Sequence, residues 1–303
     1  MVLTQDFRSG YLAIIGRPNV GKSTLLNQLL NFKLSITSPR PQTTRRRVMG
    51  IMSEQDCQII FLDTPGILKP KYILQHAMLK QIQVSILDAD GLIYLIDRLN
   101  IYEEDQGEVT EELAKLTEIN PALKPVILVI NKIDLNVKEK LLPLMEVYTR
   151  GYDFHSIVPI SAKNGEGLDN LKKEFRKVLP LHPPYYDPEI LTEQPERFFV
   201  AEFIREQIFY NFREEIPYAT EVQVEEFKER QRGKFLIRAI IYTERTSQKA
   251  ILIGKKGSAL KEIGTRARRS IEEFLNNEIF LELRVKVKKD WRKDDVQIKR
   301  FGY

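Results

Sequence analysis

The sequence predicts an α/β domain, a mostly parallel sheet with helices on both faces, followed by a smaller and basic α+β domain. Three observations predict it. Short apolar runs alternate with helical patterns through the first half, the signature of parallel strands joined by crossover helices. One such run, Tyr11 to Ile15, ends in a glycine-bearing turn that opens a helix. Charge is also unevenly shared: residues 230–303 hold 20 Lys/Arg against 9 Asp/Glu, net +11, and the preceding residues hold 27 against 33, net −6. A basic end on an acidic body points to a polyanionic partner, although a solvated charged face accounts for part of it.

With 303 residues the chain can build two cores, and its 43% hydrophobic and 29% charged content is that of a soluble globular protein. Its single cysteine, Cys57, lies in the apolar run CQIIFL. It reads as a buried small hydrophobe and can form no internal disulfide, which fits a reducing cytosol. The start, MVLTQDFRSG, has no apolar signal core, and no stretch approaches a membrane span. A cytoplasmic location is the expectation.

In chain order, GRPNVGKST (16–24) has the G-x-x-x-x-G-K-S pattern between a strand and a helix, the context of a phosphate-binding P-loop. Backbone amides and the helix N-terminus meet the phosphates, Gly16 and Gly21 let the chain curl, and Val20 and Thr24 belong to the same cradle. Lys22 would reach the β- and γ-phosphates and Ser23 would ligate Mg²⁺. The loop 34–51 follows, rich in proline and hydroxyls. Thr44, or its neighbour Thr43, is placed to bind Mg²⁺ and sense the γ-phosphate. Arg45 to Arg47 can face phosphate, RNA or solvent, and the sequence does not choose among them.

CQIIFLDTPG then carries an apolar strand into Asp63, a carboxylate suited to Mg²⁺ directly or through water, and Gly66, whose N–H can meet the γ-phosphate. Ile67 follows where a water-orienting glutamine is common, and an aliphatic group cannot orient water. Lys22, Thr44 and Gly66 are therefore the candidate catalytic groups, and unaided hydrolysis is expected to be slow. The strand GLIYLID continues the sheet, and PVILVINKID delivers Asn131, Lys132 and Asp134. The Asp134 carboxylate can accept both the guanine N1–H and its 2-amino group, which adenine does not offer together. The Lys132 stem covers the base, and Asn131 ties loops. Ser161, Ala162 and Lys163 follow a last short strand, where backbone amides can meet guanine O6. Five motifs in this order define a guanine-nucleotide site with GTP or GDP and Mg²⁺ as its ligands.

The proline-rich stretch 179–196 interrupts periodicity and reads as an ordered or semi-rigid linker. The domains are placed at 1–180 and 197–303, with 181–196 between them. PERFFVAEFIREQIFYNF has helical spacing, with Phe199, Phe203 and Phe209 as core. Two strands joined at Arg230 to Gly233 follow, then a helix from Gln248 to Ile253, Gly254-Lys255-Lys256-Gly257, a helix from Ser258 to about Leu275, and a strand over 279–289. This order resembles a type II KH domain, in which the two glycines admit a nucleic-acid backbone and Lys255 and Lys256 meet phosphate. Ile251 and Ile253 could line a groove for unstacked bases, and Arg266, Arg268 and Arg269 make the second helix basic. Single-stranded RNA fits such a groove best. Trp291 reads as packing for the tail.

The first domain resembles translation-factor-type GTPases, of the subclass with a hydrophobic residue at Ile67. In related potassium-stimulated GTPases an asparagine matching Asn19 ligates K⁺; here that role and a loop-bracing hydrogen bond stand level. GRPNVGKST, PQTTR, DTPG, NKID and SAK, followed by PERFFVAE and the GKKG domain, closely resemble the Era family over nearly the whole chain. The resemblance implies a GTPase of small ribosomal subunit maturation that binds the single-stranded 3′ end of 16S rRNA. It also implies peripheral membrane association, which no residue here shows independently.

Overall fold

The computed structural model describes residues 6–97, 106–135, 138–229 and 233–303. The first five residues therefore lie outside the described residues, as does the turn at Arg230 to Gly233 except for Gly233. The chain forms two units: residues 1–35, 44–68 and 79–193, and residues 36–43, 69–78 and 194–303.

The first unit is built on six strands: β1 Arg8–Gly16, β2 Val48–Ser53, β3 Cys57–Asp63, β4 Gly91–Ile96, β5 Val126–Ile130 and β6 Ser156–Pro159. Their spatial order is β2-β3-β1-β4-β5-β6. All neighbours are parallel except β2, which runs antiparallel to β3. Every residue of β3, β4 and β5 is buried, which is why these strands read as unbroken apolar runs rather than alternating ones. The helices are α1 Lys22–Leu30, α2 Ile73–Asp88 from residue 79 onward, α3 Gln106–Ile119, α4 Lys138–Gly151 and α5 Leu168–Val178. In α5, Leu168, Leu171 and Phe175 are buried on one face of an otherwise charged helix. The last turn of α2 is closed by Lys124, whose ammonium donates to the carbonyls of Ile86, Leu87 and Ala89 at 2.8, 2.7 and 2.5 Å. A cation there satisfies orphan carbonyls and the helix dipole together.

Residues 181–193 of the proline-rich stretch are ordered as a strap on this first unit. Buried Gln58 of β3 accepts the N–H groups of Tyr185 and Tyr186 at 2.8 and 2.9 Å and donates to the Tyr186 carbonyl and Ser53 Oγ. The Ile51 N–H donates to the Leu191 carbonyl at 2.8 Å.

The second unit contains α6 Glu196–Asn211, α7 Ile216–Ala219, β7 Glu221–Lys228, β8 Phe235–Thr243, α8 Thr246–Ile253, α9 Ser258–Leu275, β9 Ile279–Val287 and α10 Asp295–Arg300. β8 is central, antiparallel to β7 and parallel to β9. The αββααβ expectation holds, with α7 and α10 added. α6 is buried nearly all round, and Phe199 and Phe203 both meet Phe274 of α9 at ring distances of 5.0 and 5.3 Å. α9 shows Ile263, Ala267 and Ile271, spaced by four, to the core.

Segments 36–43 and 69–78 cluster with this unit. The Thr37 N–H donates to buried Glu206 of α6 at 3.0 Å, and the Arg292 guanidinium lies 5.1 Å from the Tyr72 ring centre. Trp291 is fully buried against Phe301, and its indole N–H donates to the Ala219 carbonyl at 2.9 Å. Trp291→Ala removes this anchor. It should destabilise the fold by about 3–5 kcal/mol in urea denaturation followed by circular dichroism.

Candidate functional site

The first unit's candidate site gathers at the carboxyl ends of β1, β3, β4 and β5, where a parallel sheet leaves its ligand crevice. The loop from β1 to α1 turns through Asn19 at φ 65° and Gly21 at φ 105°. A side chain at Gly21 would also strike Asn131 Nδ2, 2.3 Å from an ideal Cβ, so both conformation and space demand glycine there. α1 begins at Lys22, so the amides of its first turn are free of intrahelical partners. Lys22 is buried and donates to the carbonyls of Gly16 and Arg17 at 3.1 and 2.9 Å. Burial holds its ammonium down to about 8, opposed by the charges of Asp63 and Asp97.

Ser23, Thr44 and Asp63 converge. Ser23 Oγ lies 2.8 Å from Thr44 Oγ1 and donates to Asp63 Oδ2 at 2.7 Å. Thr43 is engaged elsewhere, with Ser38 Oγ at 2.6 Å and the Arg40 carbonyl at 2.8 Å. Of the two threonines, Thr44 is the one at Ser23. Asp63 has no solvent exposure, and its Oδ1 has no hydrogen-bond partner among the described residues. Burial pushes the carboxyl up, against the Ser23 hydrogen bond, the Lys22 charge and a hydrogen bond from Ser35. A buried, unsatisfied carboxylate oxygen beside two hydroxyls is the hard oxygen donor set that suits Mg²⁺, so these residues fit the ion.

The nucleoside end is braced by the residues expected to read the base. Asn131 accepts the Ala162 N–H at 2.9 Å and donates to the Val20 carbonyl at 2.7 Å, joining three loops. The Ala162 amide is thus engaged within the protein. Lys132, at φ 68°, sends its ammonium to the Asn19 carbonyl at 3.0 Å and to Asp97 at 2.5 Å. Ser161 Oγ donates to Asp134 Oδ1 at 2.7 Å and accepts the Asn164 N–H, while Lys163 is exposed beside them. Gly66 lies against the P-loop, with an ideal Cβ only 2.7 Å from Pro18, and the Ile67 N–H donates to the Gly16 carbonyl at 3.0 Å. The Ile67 side chain packs against the core. Of the arginine run, Arg45 is buried and Arg47 pairs with Asp88 at 2.7 Å, so neither is a free phosphate ligand.

In the second unit, α8 ends at Gly254 and the turn Lys255–Gly257 opens α9. The two glycines differ. Gly254 sits at φ 73° with an ideal Cβ 2.7 Å from the Ala259 Cβ, whereas a Cβ on Gly257 meets nothing within 4 Å. The second glycine therefore leaves open space beside the turn. Lys255, Lys256, Lys261 and Arg269 make no ion pair among the described residues, but Arg266 pairs with Glu262 at 2.6 Å and Arg268 with Glu272 at 3.9 Å.

A groove of about 420 Å³ runs between α9 and β9, lined by Gly257, Leu260, Lys261, Gly264, Thr265, Arg268, Leu281 and Leu283. Of the expected RNA-binding residues only Gly257 lines it. Ile251 is half exposed and Ile253 partly buried on α8, and Arg266 and Arg269 are also off the lining. The other lining residues carry a readable signal: Leu260, Gly264 and Arg268 recur at four on a helix, and Leu281 and Leu283 at two on a strand.

A phosphate loop with its Lys, Ser, Thr and Asp partners, the braced loops of Asn131–Asp134 and Ser161–Lys163 and a grooved αββααβ unit together define a P-loop GTPase domain followed by a type II KH domain. The family described as "50S ribosome-binding GTPase" matches residues 11–132, and the KH domain family matches residues 215–292. A GTPase Era from Geotalea daltonii is 47% identical over 299 residues, 99% of each chain. A crystal structure of an Aquifex aeolicus Era variant bound to GDP·AlF4⁻ is 42% identical, with a TM-score of 0.91 over 98% of this chain and 99% of that one. An Era in complex with MgGDPNP and nucleotides 1506–1542 of 16S ribosomal RNA is 41% identical at the same TM-score and coverage. The chain belongs to the Era family of GTPases.

Two outcomes follow from the site geometry. Because burial depresses Lys22 to about 8, bound phosphate should restore its proton affinity. Calorimetric titration in two buffers at pH 8.5 should then show proton uptake on GDP binding, and none at pH 6.5, where Lys22 is already charged. Asp134→Asn replaces an acceptor pair by an amide that presents a donor. It should cost roughly 10³-fold or more in GDP affinity and favour xanthine nucleotides, read by competition against labelled GDP.

Proposed function

We propose that this protein is a GTP-driven ribosome-assembly factor of the cytoplasm that holds the single-stranded 3′ end of 16S rRNA on the small subunit. One observation carries the reading: a chain with the converged Ser23–Thr44–Asp63 cluster also has a groove of about 420 Å³ beside lysines that make no ion pair among the described residues. The Era relative in complex with nucleotides 1506–1542 of 16S ribosomal RNA matches this chain across both units, which supports the choice of RNA. Peripheral membrane association belongs to the same proposal and carries no residue assignment. By the same proposal, residues 1–180 are the catalytic domain, 181–196 the linker and 197–303 the RNA-binding domain.

Ser23 and Thr44 would hold Mg²⁺ with Asp63 behind them, and the ion would neutralise charge on the β- and γ-phosphates. Lys22 adds a fixed cation at the same oxygens, in a buried setting where its attraction is weakly screened. Gly66 offers an N–H to the γ-phosphate side. Ile67, packed on the core, orients no water, so the unaided rate is slow. Asn19 stands beside the phosphates as a K⁺ ligand or a loop brace; its carbonyl already receives Lys132.

Nucleotide can gate RNA binding only if its contacts differ between two states of the protein. The segment from Thr37 to Thr44 is one continuous piece of chain, held by Glu206 at its start and by Ser23 at its end. That continuity supports a gate in which the GTP form binds RNA more tightly.

Fluorescence anisotropy with a labelled 16S 3′-end oligonucleotide tests the reading, with GDP and with a non-hydrolysable GTP analogue. Tighter binding with the analogue is expected, and equal affinity in both states would refute the gate. A scrambled oligonucleotide that binds equally well would refute rRNA as the ligand. Lys255→Ala/Lys256→Ala should weaken every RNA and reduce the salt slope by about 1.4. Gly264→Leu, which fills the groove, should weaken binding at an unchanged slope.

A further inference from the structure

We propose that Ser35 is a positioning residue of the metal site, whose hydroxyl fixes the Asp63 carboxylate so that Oδ1 is kept as its open acceptor. The proposal rests on the reading of Ser23, Thr44 and Asp63 as the site of Mg²⁺. Ser35 is itself outside that set of ligands. It follows α1 in a loop of serines and threonines, is buried, and donates its hydroxyl to Asp63 Oδ2 at 3.0 Å.

Asp63 Oδ2 receives two hydroxyls, from Ser23 and Ser35, while Oδ1 receives none among the described residues. The two donors are not equivalent. Ser23 also lies 2.8 Å from Thr44 and is a candidate ligand, so its lone pair would face the cation while its hydrogen serves Asp63, and its position is set by both. Ser35 is the donor that stands outside the ligand set. An aspartate χ2 is broad, so a carboxylate held by one hydroxyl is loosely oriented about that torsion. Held by two hydroxyls on one oxygen, it turns only by losing both bonds.

The placement of Ser35 is itself built. Asn27 Oδ1 accepts the N–H groups of Leu34 and Ser35 at 2.9 and 2.8 Å, and Asn27 Nδ2 donates to the Ser35 carbonyl at 2.8 Å. Asn27 lies one turn after Ser23 on α1, on the same helix face. The helix therefore sets the spacing of the two serines that hold Asp63. One reaches the carboxylate from its first turn and the other through an asparagine clamp one turn on.

Partners that orient a metal-site residue from outside the ligand set commonly tune affinity by 10–100-fold. The test uses full-length protein loaded with mant-GDP and follows nucleotide release as Mg²⁺ is titrated. Ser35→Ala should raise the Mg²⁺ concentration that half-maximally slows release by about 10-fold. Release in EDTA should stay at the wild-type rate, because the substitution touches no nucleotide contact. An unchanged Mg²⁺ midpoint overturns the proposal. Faster release in EDTA, to the same extent as in Mg²⁺, also overturns it, since that is the mark of a structural serine. If wild-type release ignores Mg²⁺, the reading of the metal site fails first and the role of Ser35 with it.

Discussion

Asp63 is a carboxylate sealed from solvent beside a lysine that is sealed as well, and much of the first unit is arranged to hold this pair. Burying either charge alone is costly, and each is pushed toward its neutral form. What sustains them is a set of short, directional contacts. The P-loop carbonyls take the ammonium, and two serine hydroxyls take one carboxylate oxygen. Those contacts require β3 and α1 to meet at fixed register. The fully buried, parallel centre of the sheet supplies that rigidity. The site is thus under electrostatic tension that an incoming polyanion and its cation relieve, which is a physical reason for it to favour them.

Much of this was legible in the sequence because its determinants are local. A glycine turn between an apolar strand and a helix carries its own geometry in adjacent residues. NKID and SAK were readable for the same reason, each closing an apolar run. Features that depend on distant chain were not. Thr43 and Thr44 are chemically alike, and only the fold turns one toward Ser38 and the other toward Ser23. Ser35 is one hydroxyl among several in its loop, and its value comes from Asn27 and Asp63 together. Nor could periodicity reveal that residues 36–43 and 69–78 cluster with the C-terminal unit, because such packing leaves no local pattern.

The basic end shows the same division between composition and placement. Its net positive charge was countable, but several cations are spent on neighbours. Arg238 pairs with Glu226 and Glu282, and Arg292 with Glu244. The cations without ion pairs among the described residues include both lysines of the GKKG turn and Lys261 on the groove wall. Unpaired charge thus lies on the turn and on the groove wall, and the groove between α9 and β9 is lined by Leu281 and Leu283.

The strap of residues 181–193 has a bearing on how the protein behaves in a crowd. β2 is an outer strand, and outer strands expose N–H and C=O groups that can recruit a strand from another molecule. Here an outward amide of β2, that of Ile51, is already taken by Leu191. The opposite margin, β6, is only four residues long and ends at Pro159, which has no N–H to offer. A covered amide on one rim and a short, proline-ended strand on the other both work against edge-to-edge pairing between copies of this chain.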